Sequence, residues 1–224
     1  MRWEPPANPE ELVLAEHEGV LEMRGPGDRP GTGARVDLGA TDARGIRPLP
    51  LVRAMGDRAR TVADATAGLL GDAWILALAG FEVTAFERSP LVARLARDGL
   101  RRAAGDPRVD CAALARLRFE EADAIGAFEA APGGSFDAVL VDPMFPPRRK
   151  RSALPRKDVR LLRAAVGDDP DAARLLEAAR RAARLRVAVK RADDSPGIEG
   201  APAPDLRFEG RTSRVDVYLA PPTP

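Results

Sequence analysis

The spacing of apolar and polar positions divides the chain near residue 61. Beyond it, short apolar runs alternate with segments of helical period. Thr61-Val62-Ala63-Asp64-Ala65 is an apolar run that ends in a carboxylate, and residues 68–71 make a glycine turn. Residues 72–79 read as a helix, and 81–87 alternate as a strand. Ser89-Pro90 supplies an N-cap and a first-turn proline, opening a helix to about residue 104. Residues 116–120 form a weaker strand, and 136–141 a strong buried one. A helix over roughly 171–183 precedes another buried strand at 185–190. The chain closes on two strands, 206–208 and 213–219, expected as an antiparallel pair. This order predicts an α/β fold: a Rossmann-like sheet of about seven strands with helices on both faces.

Residues 1–60 follow a different pattern. Two short apolar stretches, 12–14 and 19–23, are followed by a turn-rich link over 25–33. Residues 34–38 then alternate as a half-buried strand would. The expected organisation is a small β-rich appendage and linker over 1–60 and a Rossmann-like domain over 61–224.

Composition narrows the setting. Hydrophobic residues make up 45% and charged residues 31%, which is ordinary for a globular protein. No apolar run reaches the ~20 residues of a membrane helix, and the first residues lack the apolar core of a signal peptide. Cys111 stands alone, so it forms no internal disulfide and reads as a small buried hydrophobe. The expected location is the cytoplasm. A net charge of +1 means that any nucleic-acid binding comes from a local patch. Arginine far outnumbers lysine, which occurs only at 150, 157 and 190. Arginine suits phosphate, although compositional bias accounts for most of the excess.

Candidate chemistry gathers at the ends of the predicted strands, where open α/β sheets bind ligands. After the first strand comes Asp64-Ala65-Thr66-Ala67-Gly68-Leu69-Leu70-Gly71-Asp72. Gly68 and Gly71 permit a tight turn, and the next helix presents unbonded N–H groups. The dinucleotide fingerprint G-x-G-x-x-G is absent. An acidic group such as Asp64 suits the ammonium of a methionine moiety better than a pyrophosphate, which favours S-adenosylmethionine over NAD. Glu87 ends the second strand, 23 residues after Asp64, where a carboxylate can accept from both hydroxyls of a ribose. Such a carboxylate belongs to a cleft and not to the core. Asp123, after the third strand, stands where an adenine amino group would be held.

Val141-Asp142-Pro143-Met144-Phe145-Pro146-Pro147 directly follows the strongest strand. Enzymes that methylate amino groups of nucleic-acid bases carry Asp/Asn-Pro-Pro-aromatic in such a place. An exocyclic amine is a poor nucleophile because its lone pair is delocalised into the ring. Asp142 and the backbone carbonyl of Pro143 could accept from the amine, orient its lone pair and stabilise the developing charge, while Phe145 stacks on the base. Arg148, Arg149, Lys150 and Arg151 follow, then Arg156 and Lys157. Beside a base pocket such a run could clamp phosphates, and Lys190-Arg191 could add to it. His17 is the only histidine, and no Ser/His/Asp or metal-binding constellation can be assembled.

With these residues in view, the chain resembles the bacterial small-subunit (16S) ribosomal RNA guanine-N2 methyltransferase J family. The resemblance rests on residues 64–69, Asp72-Ala73, 87–90, 98–100, 142–146, 150–154, 189–191 and 214–218, in the family's order. It implies a class I S-adenosylmethionine-dependent methyltransferase with cofactor contacts from Gly71-Asp72, Glu87-Arg88, Asp123-Ala124 and Asp142. It also implies N2 methylation of a guanine in small-subunit ribosomal RNA, as naked RNA or in the small subunit. Two departures stand out. Leu70-Gly71 replaces the family's Gly-Arg, and residues 42–50 lack the usual basic His-Arg-Arg segment. Two alternatives stay open: amino-group methylation of DNA or protein, and a non-catalytic RNA-binding relative.

Overall fold

The computed structural model describes residues 11–144, 156–167, 170–193, 195–211 and 213–220. Two strands, β1 (Val13–His17) and β2 (Val20–Arg24), pair as an antiparallel hairpin. Then come α1 (Pro50–Met55), β3 (Thr61–Asp64), α2 (Gly71–Ala79), β4 (Glu82–Glu87), α3 (Pro90–Ala103), α4 (Cys111–Ala115) and β5 (Leu117–Glu121). The remainder is α5 (Ala124–Ala130), β6 (Phe136–Val141), α6 (Lys157–Val166), α7 (Ala172–Ala182), β7 (Ala183–Ala192), β8 (Leu206–Glu209) and β9 (Ser213–Leu219). Seven strands form one sheet in the order β5-β4-β3-β6-β7-β9-β8. The first five run parallel, and β9 returns antiparallel between β7 and β8. The expected α/β sheet, its helical cover and its closing antiparallel pair are all present.

Strand periodicity sorts the side chains into two apolar layers. Val62, Leu140, Ala188, Val215 and Val217 face one side, packed with Trp74 of α2 and Leu95 of α3. Ala63, Val139, Val141, Val187, Val189 and Tyr218 face the other, against Phe128 of α5 and Leu175, Leu176 and Ala179 of α7. The central strands are thus buried on both faces, which explains the near-continuous apolar run of β6. Ser89 caps α3 as expected, its side chain accepting from Val92 N.

The amino-terminal part differs from expectation in one respect. Residues 34–38 do not form a strand. Only Ala34 bridges to Met23, and a single 3-10 turn follows at Leu38–Ala40. The alternation is nevertheless physical. Ala34, Val36 and Leu38 are buried and Arg35 and Asp37 exposed, because an extended segment lies with one edge against the domain. Trp74 Nε1 donates to Leu38 O at 2.9 Å, joining α2 to this segment. Leu12, Met23, Val36 and Leu38 share their apolar cluster with Trp74 and Leu95, and α1 packs on β7, β8 and β9. Cys111, expected to be buried, is exposed at the start of α4. Asp110 caps that short helix through the N–H groups of Ala112 and Ala113, and this cap fixes Cys111 on the outer turn.

Gly99 of α3 is buried where Val36 crosses, and a Cβ there would overlap Val36 Cβ and Cγ1. Gly99→Ala is expected to cost about 1–3 kcal/mol through overpacking. Adding Val36→Ala should recover part of that loss. Urea denaturation of the two single variants and the double variant checks this.

Candidate active site

The site lies at the carboxyl ends of β3, β4 and β6, where the sheet's winding reverses between β3 and β6. A cleft opens there, lined by residues of the β3, β4 and β6 ends and of α6. Of the residues expected from sequence, Gly68, Glu87, Arg88, Asp123, Ala124 and Asp142 line it. Phe145, Arg148, Arg149, Lys150 and Arg151 lie outside the described residues.

Glu87 is only 5% exposed, which corrects the expectation of a carboxylate outside the core. Its Oε2 accepts from Gly68 N at 2.9 Å and its Oε1 from Ser89 N at 2.7 Å. One side chain therefore ties the glycine turn after β3 to the cap of α3. Gly68 has φ +52°, and a Cβ there would meet Leu162 Cδ2 of α6 at 3.2 Å. Asp123 caps α5, accepting from Ile125 N at 3.2 Å. Arg88 pairs with Asp171 at 2.7 Å at the entry to α7.

Leu70 occupies the position where the resemblance leads one to expect glycine. It is fully buried and adopts the left-handed conformation, φ 63° and ψ 10°. That conformation costs a bulky residue roughly 1–2 kcal/mol, which burial of a leucine, about 1.5–3 kcal/mol, offsets. The turn is thereby kept without the glycine. Gly71 starts α2 and does not line the cleft.

Four ionisable side chains gather at Asp142, which lines the cleft. Lys190 Nζ pairs with Asp72 Oδ2 and, at 3.1 Å, with Asp142 Oδ2. Asp64 lies beside them, 1% exposed, with Oδ1 accepting from Thr66 N at 3.1 Å. Burial, and then the Asp72 charge, push the Asp64 carboxyl up to about 8. Burial works against the charge of Lys190, but the Asp142 and Asp72 carboxylates outweigh it and raise its pKa. Lys190, with 31% of its side chain exposed, thus has its ammonium engaged by Asp72 and Asp142.

Arg191 is corrected as well. It is 3% exposed, beside Arg214 and Asp216 on the opposite face of the sheet, and it donates to Pro196 O. Strand alternation sends adjacent residues to opposite faces, so Lys190-Arg191 cannot act as one basic pair. Lys157 pairs with Asp28 at 2.6 Å and donates to Thr32 Oγ1 at 3.0 Å, joining α6 to the turn after β2.

Sequence reasoning missed Thr66, whose Oγ1 accepts from Asp142 N at 2.8 Å and so fixes the start of the Asp-Pro segment. It also missed Leu162 and Val166 of α6, which line the cleft. Their helical spacing is present in the sequence, directly behind a charge run that reads only as a phosphate clamp.

Comparison with known proteins places this geometry. Residues 40–220 match the family described as "Putative SAM-dependent methyltransferase". Ribosomal RNA small subunit methyltransferase J of Coxiella burnetii is 41% identical over 212 residues, covering 91% of this chain and 81% of that protein. The chain belongs to that methyltransferase family. The protein of the same description from Stutzerimonas stutzeri is 48% identical over 158 residues, which is 70% of this chain. The chain spans 60% of the length of that relative. A crystal structure of a SAM-dependent methyltransferase from Neisseria gonorrhoeae matches with a TM-score of 0.73 and 30% identity, over 97% of this chain and 85% of that one. The sheet is thus that of a class I S-adenosylmethionine-dependent methyltransferase.

The raised pKa of Asp64 has a signed consequence. The folded state holds this proton more tightly than the unfolded chain, whose carboxyl titrates near 3.8. Stability should therefore fall as pH rises from about 4 to about 8, with no further loss from this group above that. Asp64→Asn should flatten the slope and be more stable than wild type at pH 8. Urea midpoints of the ligand-free proteins at pH 5 and pH 8 check it.

Proposed function

We propose that this protein transfers a methyl group from S-adenosylmethionine to the N2 amine of a guanine in small-subunit ribosomal RNA. The observation that carries this reading is Asp142-Pro143 at the end of β6, held beside a cleft that Glu87 and Gly68 shape. Relatives that align over most of the chain are named ribosomal RNA small subunit methyltransferases. The donor set suits the cofactor. The Asp72 and Asp142 carboxylates outnumber the Lys190 ammonium, so the place beside Asp142 favours a cationic group such as an ammonium. Glu87 stands where ribose hydroxyls would donate to it, and Asp123 and Ala124 stand where adenine would lie. When bound, S-adenosylmethionine supplies an electrophilic methyl group.

The chain's own residues do the rest. Asp142 and the Pro143 carbonyl accept from the substrate amine and direct its lone pair into the cleft. Phe145 stacks on the base, and Arg148, Arg149, Lys150 and Arg151 hold phosphates; these roles rest on the sequence alone. No helix among the described residues is long and apolar enough to cross a membrane. A substrate in small-subunit RNA supports a cytoplasmic location. The departure at Leu70-Gly71 favours a non-catalytic RNA-binding relative. The preserved turn and the Thr66–Asp142 bond favour turnover.

Purified protein, S-adenosylmethionine and small-subunit RNA should give N2-methylguanine, read by nucleoside mass spectrometry. Binding of NAD without S-adenosylmethionine, or a methyl group found only on protein or DNA, would overturn the assignment. Asp142→Ala should lower single-turnover rate by about 10²–10³-fold, the usual effect of removing a group that acts on developing charge, while RNA affinity changes little. Arg148→Ala with Arg149→Ala should do the reverse, weakening RNA binding and flattening its salt dependence.

Glu87→Gln keeps the side chain's size and removes its charge. It is expected to weaken binding of S-adenosylhomocysteine by about 1.5–3 kcal/mol, the scale of hydrogen bonds to a charged group. Calorimetry on wild type and variant measures the difference.

A further inference from the structure

We propose that Lys190 is a positioning residue: it holds the Asp142 carboxylate ionised and directed into the cleft for the substrate amine, and it does not contact RNA. The proposal rests on the reading that Asp142 receives that amine.

Sheet register brings the two residues together. In the parallel pairing of β6 with β7, Leu140 stands opposite Ala188 and Val141 opposite Val189. Continued by one residue beyond that ladder, the register sets Asp142 beside Lys190. Strand alternation then decides the face. Ala188 and Leu140 belong to the apolar layer that α2 covers, so Lys190 and Asp142 project toward the start of α2, where Asp72 waits. The ammonium reaches both carboxylates, with Asp142 Oδ2 at 3.1 Å. Thr66 Oγ1 meanwhile fixes the Asp142 backbone at 2.8 Å. The hydroxyl sets the main chain and the ammonium sets the side chain.

The surrounding charges explain why a cation is needed. Asp64 faces this point from β3 and Asp72 from α2, and Lys190 is the cation that faces them from β7. From β9, the residue opposite Lys190 is Val215. Arg191, Arg214 and Asp216 lie on the other face of the sheet. Arg88, on the wall of the cleft, pairs with Asp171. The Asp72 carboxylate disfavours a second negative charge at Asp142, while the buried Asp64 carboxyl, pushed up to about 8, keeps its proton at neutral pH. A protonated Asp142 would present a donor where the substrate amine needs an acceptor. Lys190 removes that conflict, and its pairing with Asp72 keeps the ammonium at the site.

The test is single-turnover methylation of small-subunit RNA across pH with saturating cofactor, using Lys190→Met and Lys190→Arg, alongside salt-titrated RNA binding. Lys190→Met should slow the reaction by about 10²-fold, the scale of a misplaced reacting group. The acid limb of its pH profile should move up toward neutrality. Lys190→Arg should restore much of the rate and return the limb toward its original position. RNA affinity and its salt slope should stay unchanged in both. If Lys190→Met fails to fold, Asp72→Asn gives an independent reading, because removing a neighbouring negative charge should move the same limb down.

A normal rate and profile in Lys190→Met would overturn the proposal. So would weaker RNA binding with a salt slope reduced by about one, the mark of a phosphate contact. Equal losses in the Met and Arg variants with an unmoved limb would show a purely structural role and also overturn it, as would an unmoved limb in Asp72→Asn. If wild type itself transfers no methyl group to RNA, the functional reading fails and this proposal with it. Transfer by wild type with an unaffected Lys190→Met removes this proposal alone.

Discussion

The register of β6 against β3 is the constraint on which the site depends, and two threonines pin it. At the lower end Asp137 N donates to Thr61 Oγ1 at 3.0 Å, while Asp137 Oδ2 accepts from Arg60 N at 2.7 Å and Thr61 N at 3.1 Å. At the upper end Asp142 N donates to Thr66 Oγ1 at 2.8 Å, and Ala65 N donates to Leu140 O at 2.9 Å. A slip of one residue would send every side chain of β6 to the wrong face, including the Asp142 position. Parallel strands bury both faces, so such a slip would also expose one apolar layer to the other's partners. Core packing and site geometry are therefore enforced by the same pairing.

The electrostatics follow from that framework. Parallel strands deliver Asp64, Asp142 and Lys190 to the same end of the sheet, and α2 begins there with Asp72. Three carboxylates and one ammonium in a half-enclosed place are costly for the ligand-free protein. Burial first, and then the Asp72 charge, leave the Asp64 carboxyl protonated at neutral pH. The two remaining carboxylates, Asp72 and Asp142, exceed the single Lys190 ammonium, a balance that suits a cationic cofactor. Glu87 is spent differently. Its two oxygens brace the Gly68 turn and the Ser89 cap, so its place in the cleft is inseparable from the turn it holds.

The amino-terminal segment shows how far periodicity can be trusted. Residues 34–38 alternate in burial as a strand would, yet they lie extended against the domain and pair only through Ala34. Period two reports an extended chain with one buried edge, and it does not report a hydrogen-bonded partner. The short helices α1, α4 and α5 escaped notice because five to seven residues give too little repeat to register a helical period. In α6 the apolar period is carried by Leu161, Leu162 and Val166, within a segment rich in charge.

By itself the sequence determined the α/β class, the order of the strands and of α2, α3 and α7 from residue 61, and the residues at the strand ends. It did so because buried parallel strands and amphipathic helices leave strong local patterns, and because glycine turns, caps and an Asp-Pro segment have few structural substitutes. Tertiary structure alone decided which of those residues meet. Lys190 and Arg191 are neighbours in sequence with the same charge, and only their strand's alternation sends one into the cleft and the other behind the sheet. Asp142 and Lys190 lie far apart in the chain, and the β6–β7 register makes them an ion pair. Thr66 is an ordinary residue of a turn until β6 is laid beside β3, when its hydroxyl becomes the partner of the Asp142 amide. Register and facing are long-range properties, set by how whole strands pair, and no local window of sequence contains them.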